Sequence, residues 1–143
     1  MEEDRELLKF IHKNAAMGVG TLPQALSLPE SRPMTRELQD QLGEYRAIAA
    51  QSQAYAKAHH QTLRGPGSMA LMMSGLMLRA DSFLEGTSSK LAERMIQGST
   101  MGTVEMTRRL HQYQGQADPE LLALGERLLR TEEQNIQQMK RYL

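Results

Sequence analysis

Glu132 stands in the middle of an apolar stripe, between Leu129 and Ile136, near the end of a chain of 143 residues. An ionised carboxylate on such a face is costly unless it is paired, hydrogen-bonded or bound to a metal. The position therefore marks either a satisfied polar group of the core or the anchor of a binding site. Ser52 and His59 fall on the inward stripe of an earlier segment and complete a candidate buried polar site with Glu132. Ser99 is a further hydroxyl that could help, and His12 flanks the first apolar stripe.

A second cluster is the stretch "MALMMSGLMLRA", Met69 to Ala80. At helical spacing Met69, Met73, Leu76 and Met77 share one face, while Leu71 and Leu78 point the other way. A short helix that is apolar on both sides is usually buried between the body of a protein and something else. Unbranched methionine fills irregular gaps and is over-used on adaptable binding surfaces, so this segment reads as a plug or as an interface. Met69, Leu71, Met72 and Leu78 are the candidate surface for self-association or for a protein partner. Thioethers also suit copper(I), but the chain has no cysteine and no histidine stands nearby. No cofactor is predicted from these residues, with a metal left as an open alternative.

Other chemistry lacks its signature. "GVGTLPQ" carries no Walker lysine, there is no HExxH, and no acidic run has calcium-loop spacing. No local pattern singles out a nucleophile with its base. No catalytic residue is assigned, and the expectation leans away from an enzyme.

Composition narrows the class. Lysine plus arginine and aspartate plus glutamate number 17 each, and the balance holds on both sides of Pro66. Nucleic acid is thus not an expected partner. The opening "MEEDRELLKF" lacks the basic start and apolar run of a signal peptide, and the absence of cysteine suits a reducing compartment, so a cytoplasmic location is expected. The methionine segment is broken by Ser74 and Gly75 and is shorter than the roughly 20 residues that span hydrocarbon, so no membrane span is expected.

The elements that must position these residues are helices. Leu, Ala, Met, Gln, Glu and Arg dominate, a helix-forming mixture. The three-four rhythm runs through Leu8, Ile11, Ala15, Gly18, Leu22 and Ala25, with Pro23 expected to kink or restart the helix near Thr21. A second helix is expected from about Met34 to Leu63, stopped by "RGPG", and a third from Ser88 or Ser89 to about Tyr113. The last opens on "DPE", an Asp cap followed by a Pro at the first helical position. Its stripe is read as Leu122, Gly125, Leu129, Glu132, Ile136, Met139 and Leu143.

Together these predict one all-α domain over residues 1–143: an antiparallel four-helix bundle with an extra short methionine-rich helix between the second and third long ones. Small residues sit midway along the inner faces, among them Gly18, Ser52, Gly98, Gly102 and Gly125. Such a layer means close backbone approach or a central cavity.

Through "LLKFIHKNAAMG", "ERMIQGSTMG" and "LLRTEEQNI" the chain resembles small uncharacterised bacterial proteins of the ferritin-like superfamily. That resemblance implies a four-helix bundle with a long second-to-third crossing. A di-metal centre of this type needs a glutamate from each of two helices and Glu-x-x-His from the other two. Here Glu132 to Asn135 reads "EEQN" and Glu44 to Ala47 reads "EYRA", with no histidine in either. The expected function is non-enzymatic, through self-association or partner binding. The alternative is a bundle that binds a metal or small ligand with Glu132 as polar anchor.

Overall fold

The computed structural model describes residues 2–27, 32–64 and 88–143. The methionine segment, and with it Met69, Leu71, Met72 and Leu78, lies outside the described residues. Four helices form the bundle: α1 (Glu2–Leu26), α2 (Arg32–Ala58), α3 (Ser88–Tyr113) and α4 (Pro119–Lys140). No strand occurs among the described residues.

Each helix buries one apolar face. Leu7, Leu8 and Ile11 of α1, Leu38 and Ile48 of α2, Leu91 and Met106 of α3, and Leu121, Leu128 and Met139 of α4 are all but fully buried. Every such side chain contributes roughly 1.5–3 kcal/mol by leaving water. Pro23 does not restart α1, which runs unbroken to Leu26. Near the proline, Thr21 donates its hydroxyl to the Met17 carbonyl.

The second helix ends sooner than its apolar rhythm suggests, at Ala58 and not near Leu63. Gln61 N–H bonds to the Ala56 carbonyl at 2.8 Å and His60 N–H to that of Lys57 at 3.4 Å. His60 takes the left-handed conformation between them, φ 55°. This is a Schellman stop with histidine where glycine is usual, and it acts before "RGPG" is reached. The start of α4 is as expected: Asp118 caps it by accepting from Glu120 N–H at 2.9 Å.

Pairings across α2 and α4 give their relative direction. Tyr55 meets Asp118, Tyr45 meets Glu132 and Asn135, Gln41 meets Gln138, and Glu37 meets Tyr142. Numbers rise on one helix as they fall on the other, so the two are antiparallel. Asp4 accepts from Asp118 N–H at 2.6 Å, and Ile11 lies beside Gly125, so α1 and α4 run the same way. Gly102 of α3 faces Glu132, while Met106 and Leu110 face Gly125, which makes α3 antiparallel to α4. The order is up, down, down, up, and residues 65–87 join opposite ends of the bundle.

The α4 face is rotated from the stripe read in the sequence. Its buried residues include Leu121, Leu124, Leu128, Thr131 and Asn135, whereas Leu122, Leu129 and Ile136 are only partly buried and Leu143 is exposed. Two polar side chains thus occupy positions that the apolar pattern had assigned outward.

The glycines of the layer differ in what surrounds them. A Cβ on Gly18 would come within 2.6 Å of the Tyr45 ring, and one on Gly125 within 3.0 Å of Leu110. Gly98, by contrast, has nothing within 4 Å of that direction. Gly18→Ala should therefore cost about 1–3 kcal/mol through overpacking, while Gly98→Ala should gain up to about 1 kcal/mol of helix propensity. Thermal unfolding of the two variants checks this: the melting temperature falls for the first and rises for the second.

Candidate functional site

Glu132 sits on the inner face of α4, 5% exposed. The Tyr45 hydroxyl, from α2, donates to its Oε2 at 2.9 Å, and the Asn135 amide one turn further along α4 donates to that same phenol oxygen at 3.1 Å. Tyr45 is held by its ring against Gly18 of α1. From α3, the Ser99 hydroxyl hydrogen-bonds the carboxylate, and Gly102 gives the carboxylate the space where a side chain would stand. Three helices thus converge on one carboxyl group, and a fourth supports its main partner.

Burial pushes the Glu132 carboxyl up from its ordinary 4.5 to about 7, because water is lost from its charged form. The bonds from Tyr45 and Ser99 act in the opposite direction and are outweighed. Near neutral pH the group therefore holds a proton part of the time. Tyr45 is driven well above its ordinary range, first by burial and then by the neighbouring carboxylate. It remains a hydrogen-bond donor throughout.

Among the described residues one side of this cluster is open. Between α1 and α3 lies a cleft of about 400 Å³, floored by Tyr45, Ser99 and Glu132. Its walls carry Met17, Leu22, Met95 and Met101, and Asn14, Thr21, Arg94 and Gln97 add polar groups. Gly98, with no neighbour to fill its place, belongs to the same wall. Toward the other end, α1 and α3 are tied by the Arg109 guanidinium, 5.0 Å above the Phe10 ring.

A larger groove of about 500 Å³ lies between α2 and α4, lined by Tyr55, His59, Glu120, Arg127 and Arg130 among others. It is a weaker candidate on chemical grounds. Arg127 already donates to Glu44 at 2.7 Å and to Gln51, and Tyr55 donates to Asp118 at 2.8 Å. The charged groups there are mostly exposed.

The sequence-predicted set is divided by the structure. Glu132 is buried in the cluster described. Ser52 is also buried, but its hydroxyl turns back to the Ile48 carbonyl at 2.9 Å and is spent on its own helix. His59 is exposed beyond the end of α2, its ring stacked on Tyr55 at 3.9 Å, and does not join the site. His59 keeps the helical register, its N–H bonded to the Tyr55 carbonyl at 3.1 Å, but the position is exposed. His12 is buried, and desolvation lowers its pKa.

Ser99, weighed in the sequence as a helper, does reach the carboxylate. Tyr45 was legible as a core residue, but its pairing with Glu132 spans two helices and carries no local signal. Asn135 was visible as the residue standing where a ferritin-like histidine would be. In the structure it serves the same cluster by orienting Tyr45. Among the described residues no group of three or more His, Cys, Asp or Glu side chains is placed to hold a metal ion. No described helix is long and apolar enough to cross a membrane. Comparison with family models, with curated proteins and with solved structures finds no match.

The raised carboxyl pKa makes stability depend on pH. The folded chain binds the Glu132 proton more tightly than the unfolded chain does, so this contribution is full below about 4.5 and is lost as pH rises through about 7. Relative to Glu132→Gln, the wild type should lose roughly 2–3 kcal/mol between pH 5 and pH 8. Both proteins contain His12, whose opposite trend cancels in the difference. Urea unfolding of the pair at the two pH values checks the sign: parallel behaviour would mean an unperturbed carboxyl.

Proposed function

We propose that the protein is a non-enzymatic helical bundle that binds a small ligand in the cleft between α1 and α3, with Glu132 as the polar anchor. The observation that carries this reading is a buried carboxylate, without a cationic partner among the described residues, at the floor of an open cleft with apolar walls. Ligand sites typically combine such walls with a few convergent polar groups, in volumes of roughly 300–1,000 Å³. The apolar walls bring methionine, a side chain that adapts to the shape it meets.

Metal binding is the less favoured form of this reading. Glu132 is the one carboxylate among the described residues lining the cleft, and hard divalent cations ask for several oxygen ligands. A ferritin-like affiliation draws support from the up-down-down-up order with one long crossing, while Asn135 in place of histidine argues against its di-metal chemistry. Self-association is favoured by one observation, the exposure of Met101 and Val104 on α3 at 72% and 51%. A cytoplasmic location accords with the absence of cysteine.

Filling the cleft separates ligand binding from the alternatives. Gly98→Leu adds a side chain at the open wall, where its Cβ meets no atom within 4 Å. In a small-fragment screen followed by amide chemical shifts, binders should perturb Thr21, Gly98, Ser99 and Met101 in the wild type. In Gly98→Leu those responses should fall by about tenfold or more, as expected for a blocked pocket. Fragments that instead perturb only the α2 and α4 groove would contradict the assignment.

A further inference from the structure

The polar groups of the cleft differ in what they have left to offer. Asn14 spends one amide N–H on the Phe10 carbonyl at 2.9 Å, which leaves its Oδ1 as an acceptor and a second N–H as a donor. Thr21 spends its hydroxyl proton on the Met17 carbonyl, and its oxygen lone pairs remain. The Arg94 guanidinium donates to Gln97 Oε1 at 3.2 Å on its own helix.

The carboxylate has spare capacity too. Glu132 accepts from Tyr45 and Ser99, two donors for a group with about four acceptor positions. None of the ion pairs between described residues involves it. Among the described residues a negative charge so placed is compensated by hydrogen bonds alone, and the open side is the direction from which a counter-charge can arrive. Water offers donors but no charge, and in a partly desolvated site a charge-assisted bond is about twice as strong as a neutral one.

From the Glu132 carboxylate, which has no cationic partner among the described residues, we infer that the ligand is a small organic amine, bound as its ammonium ion to Glu132, with an apolar body lying along Met17, Leu22, Met95 and Met101. The inference rests on the ligand-binding reading above and specifies the chemical class of its occupant. An ammonium supplies three donors and one positive charge, which matches the carboxylate of Glu132 on the floor. A neutral alcohol would satisfy one acceptor and leave the charge uncompensated. A carboxylate ligand would meet like charge at the floor and find its complement only in Arg94.

The probes that test this are hexylamine, hexanol and hexanoate, which share an apolar chain and differ in the head group. Titrated into the wild-type protein at pH 8 and followed by amide chemical shifts, hexylamine should bind at least roughly tenfold tighter than hexanol. Its perturbations should centre on Thr21, Ser99 and Met101. Glu132→Gln should bring hexylamine to the level of hexanol. Circular dichroism of the variant verifies that it is folded, and the three-probe comparison on wild type stands without it.

Equal binding of amine and alcohol at the cleft, or preference for hexanoate, would overturn the amine assignment and leave the ligand-binding reading intact. If no probe perturbed the cleft at all, both would be overturned.

Discussion

One hydrogen bond organises the middle of this molecule: the phenol of Tyr45 held against the carboxylate of Glu132. A carboxylate inside a helical bundle loses solvation that only directed donors can replace. Supplying them constrains all four helices. Gly18 must lack a side chain so that the Tyr45 ring can stand where it does. Gly102 must lack one so that Glu132 can lie against α3. Ser99 and Asn135 then complete the set, the first on the carboxylate and the second on the phenol.

The two long edges of the bundle differ in kind. Between α2 and α4 polar side chains pair in register from Tyr55 with Asp118 to Glu37 with Tyr142. Several of these bonds join charged groups across helices, as Arg127 does with Glu44, and such pairs fix register more than they add stability. Between α1 and α3 the packing closes where Arg109 covers Phe10 and opens around Gly98. The rigid seam holds Tyr45 and Glu132 in place, and the open edge admits whatever meets them. Methionine and glycine on the open side leave the walls adaptable.

Much of the architecture is written in local signals. The three-four rhythm of Leu8, Ile11 and Ala15, the Asp118-Pro119 cap and the change of pattern near Ser88 each act within a few residues and can be read without a partner. What escaped reading is tertiary. Thr131 and Asn135 are buried, yet a stripe sought among apolar types passes over them and turns the α4 face toward Leu122 and Leu129. His59 follows the α2 rhythm and keeps its register, but it stands exposed at the end of the helix. Of the site, Glu132 stood out because its type conflicts with its neighbours. Its phenol donor did not, because Tyr45 looks like an ordinary core aromatic until the opposite helix is in place. The glycines were visible as a layer, but whether each is filled or open depends on side chains from other helices.

The most direct measurement of this account is the ionisation of Glu132 itself, followed by the carbon-13 resonance of its side-chain carboxyl in the unliganded protein across pH 3 to pH 9. The account predicts a midpoint near 7, well above the ordinary 4.5, with Tyr45→Phe moving it higher still because a donor to the charged form is removed. A midpoint at or below 4.5 would mean that the carboxylate is solvated or already paired with a cation, and would contradict the buried, cation-free anchor on which the ligand-binding reading rests.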